Sequence, residues 1–323
     1  MRFRSQQVDG YRVFAVSETN TISFAIDAGN ADTKGLLGFA VERVDPAENE
    51  RYYVYGFKVF ASVLPQPDEK TTVKTPDHPI QSFVWDDFTA KPDRKYEYVF
   101  HPLKGTPKNL DRSAAPISIR VRTEPLFSTA EHDVFFNRGV ASSQAYARKF
   151  GNRKPDKLPP KLRAEALQWL SRELDEALLA FIGAARDGDT LLCCFYEFRY
   201  APVAEALKAA ADRGVEIRLI VDAKRNAEEF PRKDNLKLIK TVGLPKAAVK
   251  LRQARTADIQ HNKFMVLLKV AGKAPQEVWT GSTNISEGGI HGQSNVGHWV
   301  RNAAVAGAFH RYWKLLSQDP GSA

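Results

Sequence analysis

Cysteine is nearly absent: two in 323 residues, adjacent at Cys193 and Cys194 inside the apolar run TLLCCFYEF. That scarcity excludes a disulfide framework. Neighbouring residues of a strand face opposite ways, so the pair reads as two reduced core thiols. No apolar run is long enough to cross a bilayer. The opening MRFRSQQVDGYRVFAVSETN has no apolar stretch suited to secretion. A soluble, cytoplasmic protein is the expectation. His, Asp and Cys are nowhere grouped at metal-ligand spacing, so neither a metal nor another cofactor is expected. Acidic residues are in deficit, 38 against 47 basic ones, which gives a net charge of +9 and a pI near 9.4. Such a balance favours a polyanionic partner, nucleic acid or an anionic membrane. With 43% hydrophobic and 26% charged residues the chain is globular, and it is long enough for two cores.

What is present divides into two kinds of pattern. Residues 1–124 read as short β runs, among them YRVFAV, ISFAID, YYVYGFKVF, YEYVFHPL and ISIRVRTEP, separated by Pro, Asp, Asn and Gly. Short strands at regular spacing predict an all-β, antiparallel β-sandwich. Residues 125–160 are rich in Arg, Lys, Gly, Ser and Pro and read as a basic linker, with a short helix expected over Ser142 to Phe150. Arg138, Arg148, Lys149, Arg153 and Lys154 are candidates for nucleic-acid contact there, since cations neutralise phosphates and the intervening Phe and Tyr can stack on bases. From 161 to 323 the period changes. LRAEALQWLSRELDEALLAFIGAA is one helical stretch, and TLLCCFYEF, VEIRLIVD, AVKLR, KFMVLLKV, EVWTGS and SNVGHWV are strands interleaved with further helices. Alternation of this kind predicts an α/β sheet covered on both faces.

The chemistry concentrates in HNKFMVLLKVAGKAPQEVWTGSTN, residues 261–284. Side chains two apart on a strand share a face, so His261 and Lys263 stand together at a strand end, with Asn262 turned away. A hairpin-like connection returns the chain to Gly281, after which Ser282 and Asn284 form a polar loop. This set suits a phosphodiester. Lys263 supplies charge to non-bridging oxygens, Ser282 and Asn284 supply neutral hydrogen bonds, and His261 can attack phosphorus.

HNK followed by GSTN resembles the phospholipase D superfamily signature, His-x-Lys with a later Gly-Ser-x-Asn, in its nuclease-like subgroup. The resemblance spans about 161–318 and implies an α/β/α sandwich of phospholipase D type. It further implies two signatures meeting at one site, one His forming a covalent phosphohistidine, the other protonating the leaving oxygen, and no metal. Carried over, His261 is nucleophile or general acid, Lys263 and Asn284 hold phosphoryl oxygens, and Ser282 supports them. Two positions depart from the family. Leu268 stands where an Asp is common, five residues after the Lys. Asn295, beside Ser294, stands where a Glu often orients a catalytic His. Glu197, Asp222 and Glu287 are candidate substitutes. His291 is a candidate for reaching substrate from a mobile Gly-rich segment, and His298 reads as structural. His132 with Asp133 suggests a further acid–base pair, or a turn. Within the first region, FVWDDFTAKPDRKYEYVFHPLKG resembles part of a fibronectin type III or immunoglobulin-like domain, with Tyr96 and Tyr98 packing on Trp85.

A single signature is half a site. A twofold dimer supplies the second copy, since an isologous contact sets the same residues opposite each other. A longer protein with a second half beyond SQDPGSA is the next reading, and a degenerate, structural half the third. The sequence therefore points to a metal-independent phosphodiesterase, a nuclease acting on DNA or RNA as a homodimer. The competing expectations are a phospholipid hydrolase or phosphatidyl transferase, and a non-catalytic nucleic-acid-binding module.

Overall fold

The computed structural model describes residues 1–30, 32–68, 71–139, 144–225, 228–253, 260–270 and 273–320. The chain forms two compact units, Met1–Phe127 and Ser128–Ala323.

In the first unit, period-two alternation builds antiparallel sheets. The strands are β1 (Arg2–Arg4), β2 (Tyr11–Ser17), β3 (Ile22–Ala28), β4 (Leu36–Asp45), β5 (Glu50–Tyr53), β6 (Tyr55–Gly56), β7 (Val73–Lys74), β8 (Val84–Asp87), β9 (Lys95–Thr106), β10 (Asn109–Asp111) and β11 (Ile117–Arg122). One sheet runs β1-β2-β3-β8, a second runs β10-β9-β4-β5 with β11 also on β9, and β6 pairs β7. Burial alternates strictly along β2 and β11, so each has one inward face. Tyr11, Val13 and Phe24 from the first sheet join Phe39, Tyr98 and Ile119 from the second in one apolar core. Trp85 is half-buried, stacks on Phe24 with centroids 5.4 Å apart, and meets Tyr98 at 6.1 Å. The charges inside are paired. Arg43 Nη1 lies 3.2 Å from Asp87 Oδ2, which also accepts the Tyr98 hydroxyl at 2.6 Å. Burial and Asp87 hold that hydroxyl protonated.

In the second unit the elements are β12 (His132–Phe136), α1 (Gln144–Phe150), α2 (Pro160–Ser171), α3 (Leu174–Gly183), β13 (Thr190–Phe195), α4 (Ala201–Asp212), β14 (Glu216–Asp222), α5 (Arg232–Val242), β15 (Val249–Arg252), β16 (Lys263–Lys269), β17 (Ala274–Gly281), α6 (Glu287–His291), β18 (Val296–Val300) and α7 (Ala303–Ser317). One seven-stranded mixed sheet runs β12-β18-β17-β16-β13-β14-β15. β13, β14 and β15 are parallel, joined through α4 and α5, and the other neighbours are antiparallel. Every residue of β13 is buried, as a strand covered on both faces requires. Phe181 of α3 packs on Trp279 and Trp299, while Phe309 of α7 packs on Phe264. Trp279 pairs with Met265, one residue on from Phe264, so the two helices cover opposite faces.

Two expectations change here. The stretch expected as a linker, 125–160, contributes β12, which pairs with β18 from His132↔Val300 to Phe136↔Val296, and then α1. Alternation in HDVFF was masked by the surrounding basic and polar residues. The helix expected from Ser142 begins, among the described residues, at Gln144, and 142–143 lie outside them. The single helical stretch over LRAEALQWLSRELDEALLAFIGAA is two helices. Arg172 adopts a positive φ of 45° and breaks it.

The register sets the functional end of this sheet. Phe195 pairs with Lys263, Phe264 with Thr280, and Gly281 with Gly297. The ends of β13 and β17 and the starts of β16 and β18 therefore lie together. In open α/β sheets, strand carboxyl ends are where ligands are bound.

Candidate active site

β16 begins at Lys263, so His261 precedes the ladder, and Tyr196 N donates to Asn262 O at 2.8 Å to extend the pairing. His261 is exposed and Lys263 buried. The Lys263 ammonium donates to the His261 carbonyl at 3.0 Å. An ammonium carries three hydrogens, and the others remain for a ligand. The Tyr196 ring packs edge-on against the His261 ring at 5.1 Å and lies 5.8 Å from Lys263 Nζ.

Glu197, one residue beyond Tyr196, is buried and faces this group. Its Oε1 accepts Asn284 Nδ2 at 3.0 Å and its Oε2 accepts Arg199 Nε at 2.8 Å. The carboxylate thus locks Asn284 into one orientation and binds a cation. It also acts electrostatically on both His261 and Lys263. Although the residue is exposed overall, partial desolvation of its ring against Tyr196 lowers the His261 pKa below its ordinary value, Lys263 lowers it further, and Glu197 opposes both. A neutral imidazole at pH 7 is what nucleophilic attack needs. Burial pushes Lys263 down to about 8, against the pull of Glu197.

The glycine of GSTN has a steric reason. Gly281 sits at φ +150°, and a Cβ there would lie 2.1 Å from Val296 O. Asn235 fixes the strand ends on the other side. Wholly buried, it accepts from Phe198 N at 2.7 Å and donates to Tyr196 O and Asp222 O at 2.8 and 2.9 Å.

Residues 178–316, less than half of the chain, match the family model described as cardiolipin synthase, PLD-like domain. The second unit carries a phospholipase D-like domain. No curated protein matches the chain. Among solved structures, Nuc, a phospholipase D family member from Salmonella typhimurium, is 23% identical, with 43% of this chain and 84% of Nuc covered and a TM-score of 0.34. NucT from Helicobacter pylori is 16% identical over 46% of this chain and 90% of its own, TM-score 0.34. Polyphosphate kinase from Porphyromonas gingivalis is 20% identical over 49% and 25%, TM-score 0.35.

Within the phospholipase D-like domain, the sequence candidates separate. His261, Lys263, Asn284 and Glu197 come together. Ser282 and Asn295 hold the loop. Ser282 Oγ donates to Asn295 Oδ1 at 2.8 Å and accepts Val296 N at 3.1 Å, while Asn295 Nδ2 donates to Gly289 O at 2.7 Å. Asp222 is spent on backbone, with Lys224 N and Gln260 N each 3.3 Å from its carboxylate. Glu287 lies 3.8 Å from Arg163. Leu268 is buried in apolar core near the far end of β16. Five residues at ~3.3 Å each place it ~17 Å along the strand from Lys263, too far to orient His261.

Three expectations are corrected. His291 does not reach out from a mobile segment: it is buried in α6, its ring against Tyr200 at 5.8 Å. Its burial follows from Gly288 and Gly289 being helical rather than loop. His132 and Asp133 are not a pair, because adjacent strand residues diverge, and Asp133 is buried against Arg301 at 2.8 Å. The aromatics among the basic cluster are core, not a stacking surface. Tyr146 and Phe150 are buried with Trp169, and Arg138 lies over the Trp169 ring at 4.5 Å. Arg153 and Lys154 are exposed. Arg199, Tyr196 and Asn235 were missed by sequence reasoning. Only the closeness of Tyr196 and Arg199 to Glu197 in the chain hinted at those two, and nothing in the chain hinted at Asn235.

Among the described residues no group of three or more His, Cys, Asp or Glu is placed to hold a metal ion. Among them, no helix is long and apolar enough to cross a membrane.

Proposed function

We propose that the phospholipase D-like domain is a metal-independent phosphodiesterase that cleaves nucleic acid through a phosphohistidine, at a site completed by a second copy of the chain. The observation that carries this reading is the convergence of His261, Lys263, Asn284 and Glu197 at one sheet end. In the proposed reaction the neutral imidazole of His261 attacks phosphorus, and the P–O bond to the leaving group breaks. Lys263 and Asn284 bind the non-bridging oxygens, where charge develops. The second copy's His donates the proton to the leaving oxygen, then takes one from the water that cleaves the phosphohistidine. Glu197 keeps Asn284 oriented and Lys263 charged. The excess of basic residues and the exposed Arg153 and Lys154 favour a polyanionic substrate. In this reading the all-β first unit, of sandwich type, positions substrate or partner, and the protein is a soluble cytoplasmic enzyme.

The test is cleavage of single- and double-stranded DNA and RNA in excess EDTA, with His261→Ala alongside and the solution mass measured by light scattering. Turnover that survives EDTA and is lost in the variant supports the reading. Absolute dependence on added divalent metal, or an active variant, refutes it. The family description names cardiolipin synthase. Hydrolysis or transfer on phospholipid vesicles without nuclease activity would move the substrate to lipid and leave the residue roles intact.

A further inference from the structure

β12 is the edge of the seven-stranded sheet and pairs with β18 alone among the described residues. His132 lies opposite Val300, and His298 lies opposite Val134, two residues along. The two imidazoles therefore project from the same face of adjacent strands as a diagonal pair. His132 Nδ1 and His298 Nε2 are 3.0 Å apart, with ring centroids at 5.1 Å. The far nitrogen of His132 faces a carboxylate, with Nε2 3.5 Å from Glu131 Oε1, itself held by Asn302 Nδ2 at 2.9 Å.

We propose that His132 and His298 form a two-histidine site for a divalent transition-metal ion, separate from the phosphate site. The geometry argues for it in three ways. With metal–nitrogen bonds of about 2.05 Å, two ligand nitrogens lie about 2.9 Å apart at a right angle and about 3.4 Å apart at the tetrahedral angle. The 3.0 Å separation matches the first and suits square or octahedral coordination by imidazole, the preference of Ni²⁺ and Cu²⁺. Glu131 Oε1 stands 3.5 Å behind Nε2, on the side of the ring away from His298, where a carboxylate commonly backs a ligating His. The two strands hold both rings before any ion arrives, so little ordering is needed.

The surrounding charges are compatible with a cation. Glu131 and Asp133 are acidic, and the nearby Arg301 is neutralised by Asp133 at 2.8 Å. Water fills the remaining coordination positions. The site faces away from Lys263. His298 shares its cross-strand row with Thr280 and Phe264, on the α7 face, and Lys263 is one residue out of phase with Phe264. Bound metal would clip the edge strand to the sheet, across 166 residues of chain. The proposal does not depend on the nuclease reading.

The test is calorimetric titration of NiCl₂ into the untagged, EDTA-stripped full chain at pH 7.5, with His132→Gln and His298→Gln in parallel. Binding of one equivalent is expected, weakened at least tenfold in either variant and lost at pH 5. Saturating Ni²⁺ should raise the melting temperature by several degrees in the original chain and not in the variants. Failure of the original chain to bind Ni²⁺ at millimolar concentration overturns the proposal. So does equal binding by both folded variants, which would place the ion elsewhere.

Discussion

Replacing Glu197 with Gln isolates an electrostatic effect from a steric one. The amide keeps an oxygen for Asn284 Nδ2 and nearly the same volume, but the charge and the acceptor for Arg199 Nε are gone. Lys263 sits near a pKa of about 8 because burial lowers it while Glu197 raises it. An opposite charge a few ångströms away is worth about 1–3 pKa units, and Glu197 divides its charge with Arg199, so about one unit is expected here. Lys263 would then titrate near 7. At pH 7.5 the charged fraction falls from about three-quarters to about one-quarter, a threefold loss of a phosphate ligand. His261 moves the same way, further below its ordinary value, which shifts the acid limb down as well. The assay is kcat/KM for a chromogenic phosphodiester from pH 5 to 9.5, since that ratio reports ionisations of the free enzyme. The Lys263 ionisation should move toward acid by about one unit, and that of His261 in the same direction. An alkaline limb that stays at about 8 in the variant would refute the assignment of Lys263 and its coupling to Glu197.

Lys263→Met should stabilise the fold while abolishing turnover. A lysine with a lowered folded pKa contributes stability above its unfolded value of about 10.4 and loses it as pH falls through about 8, so at pH 7 its removal gains about 1–2 kcal/mol in urea denaturation. Leu268→Asp, which restores the family's usual carboxylate, should cost about 3 kcal/mol and leave kcat no higher, because it places an unpaired charge in apolar core. Asn235→Ala should cost about 2–4 kcal/mol by thermal denaturation, since Phe198 N, Tyr196 O and Asp222 O each lose a buried partner.

The site was half legible in the sequence. HNK and GSTN mark their own strand ends, because strand periodicity fixes which side chains share a face. Glu197 was one of three candidate carboxylates, beside Asp222 and Glu287. The register Phe195↔Lys263 is what brings it to the site, while Asp222 is drawn off by backbone amides and Glu287 by Arg163. Ser282 looked like a phosphate ligand and is instead bonded to Asn295. The basic cluster looked like a stacking surface because helical aromatics and surface aromatics read alike until packing is known.

By itself the sequence carried what local rules govern: two structural regimes, strands and helices in order, reduced cysteines, and the candidate residues at 261–284. Tertiary structure decided what depends on residues far apart in the chain. It recruited β12 from an apparent linker, set Glu197 against Asn284, buried His291, and set His132 3.0 Å from His298. The physical reason is that strand periodicity fixes the face a side chain takes, and only register fixes which other side chain it meets there.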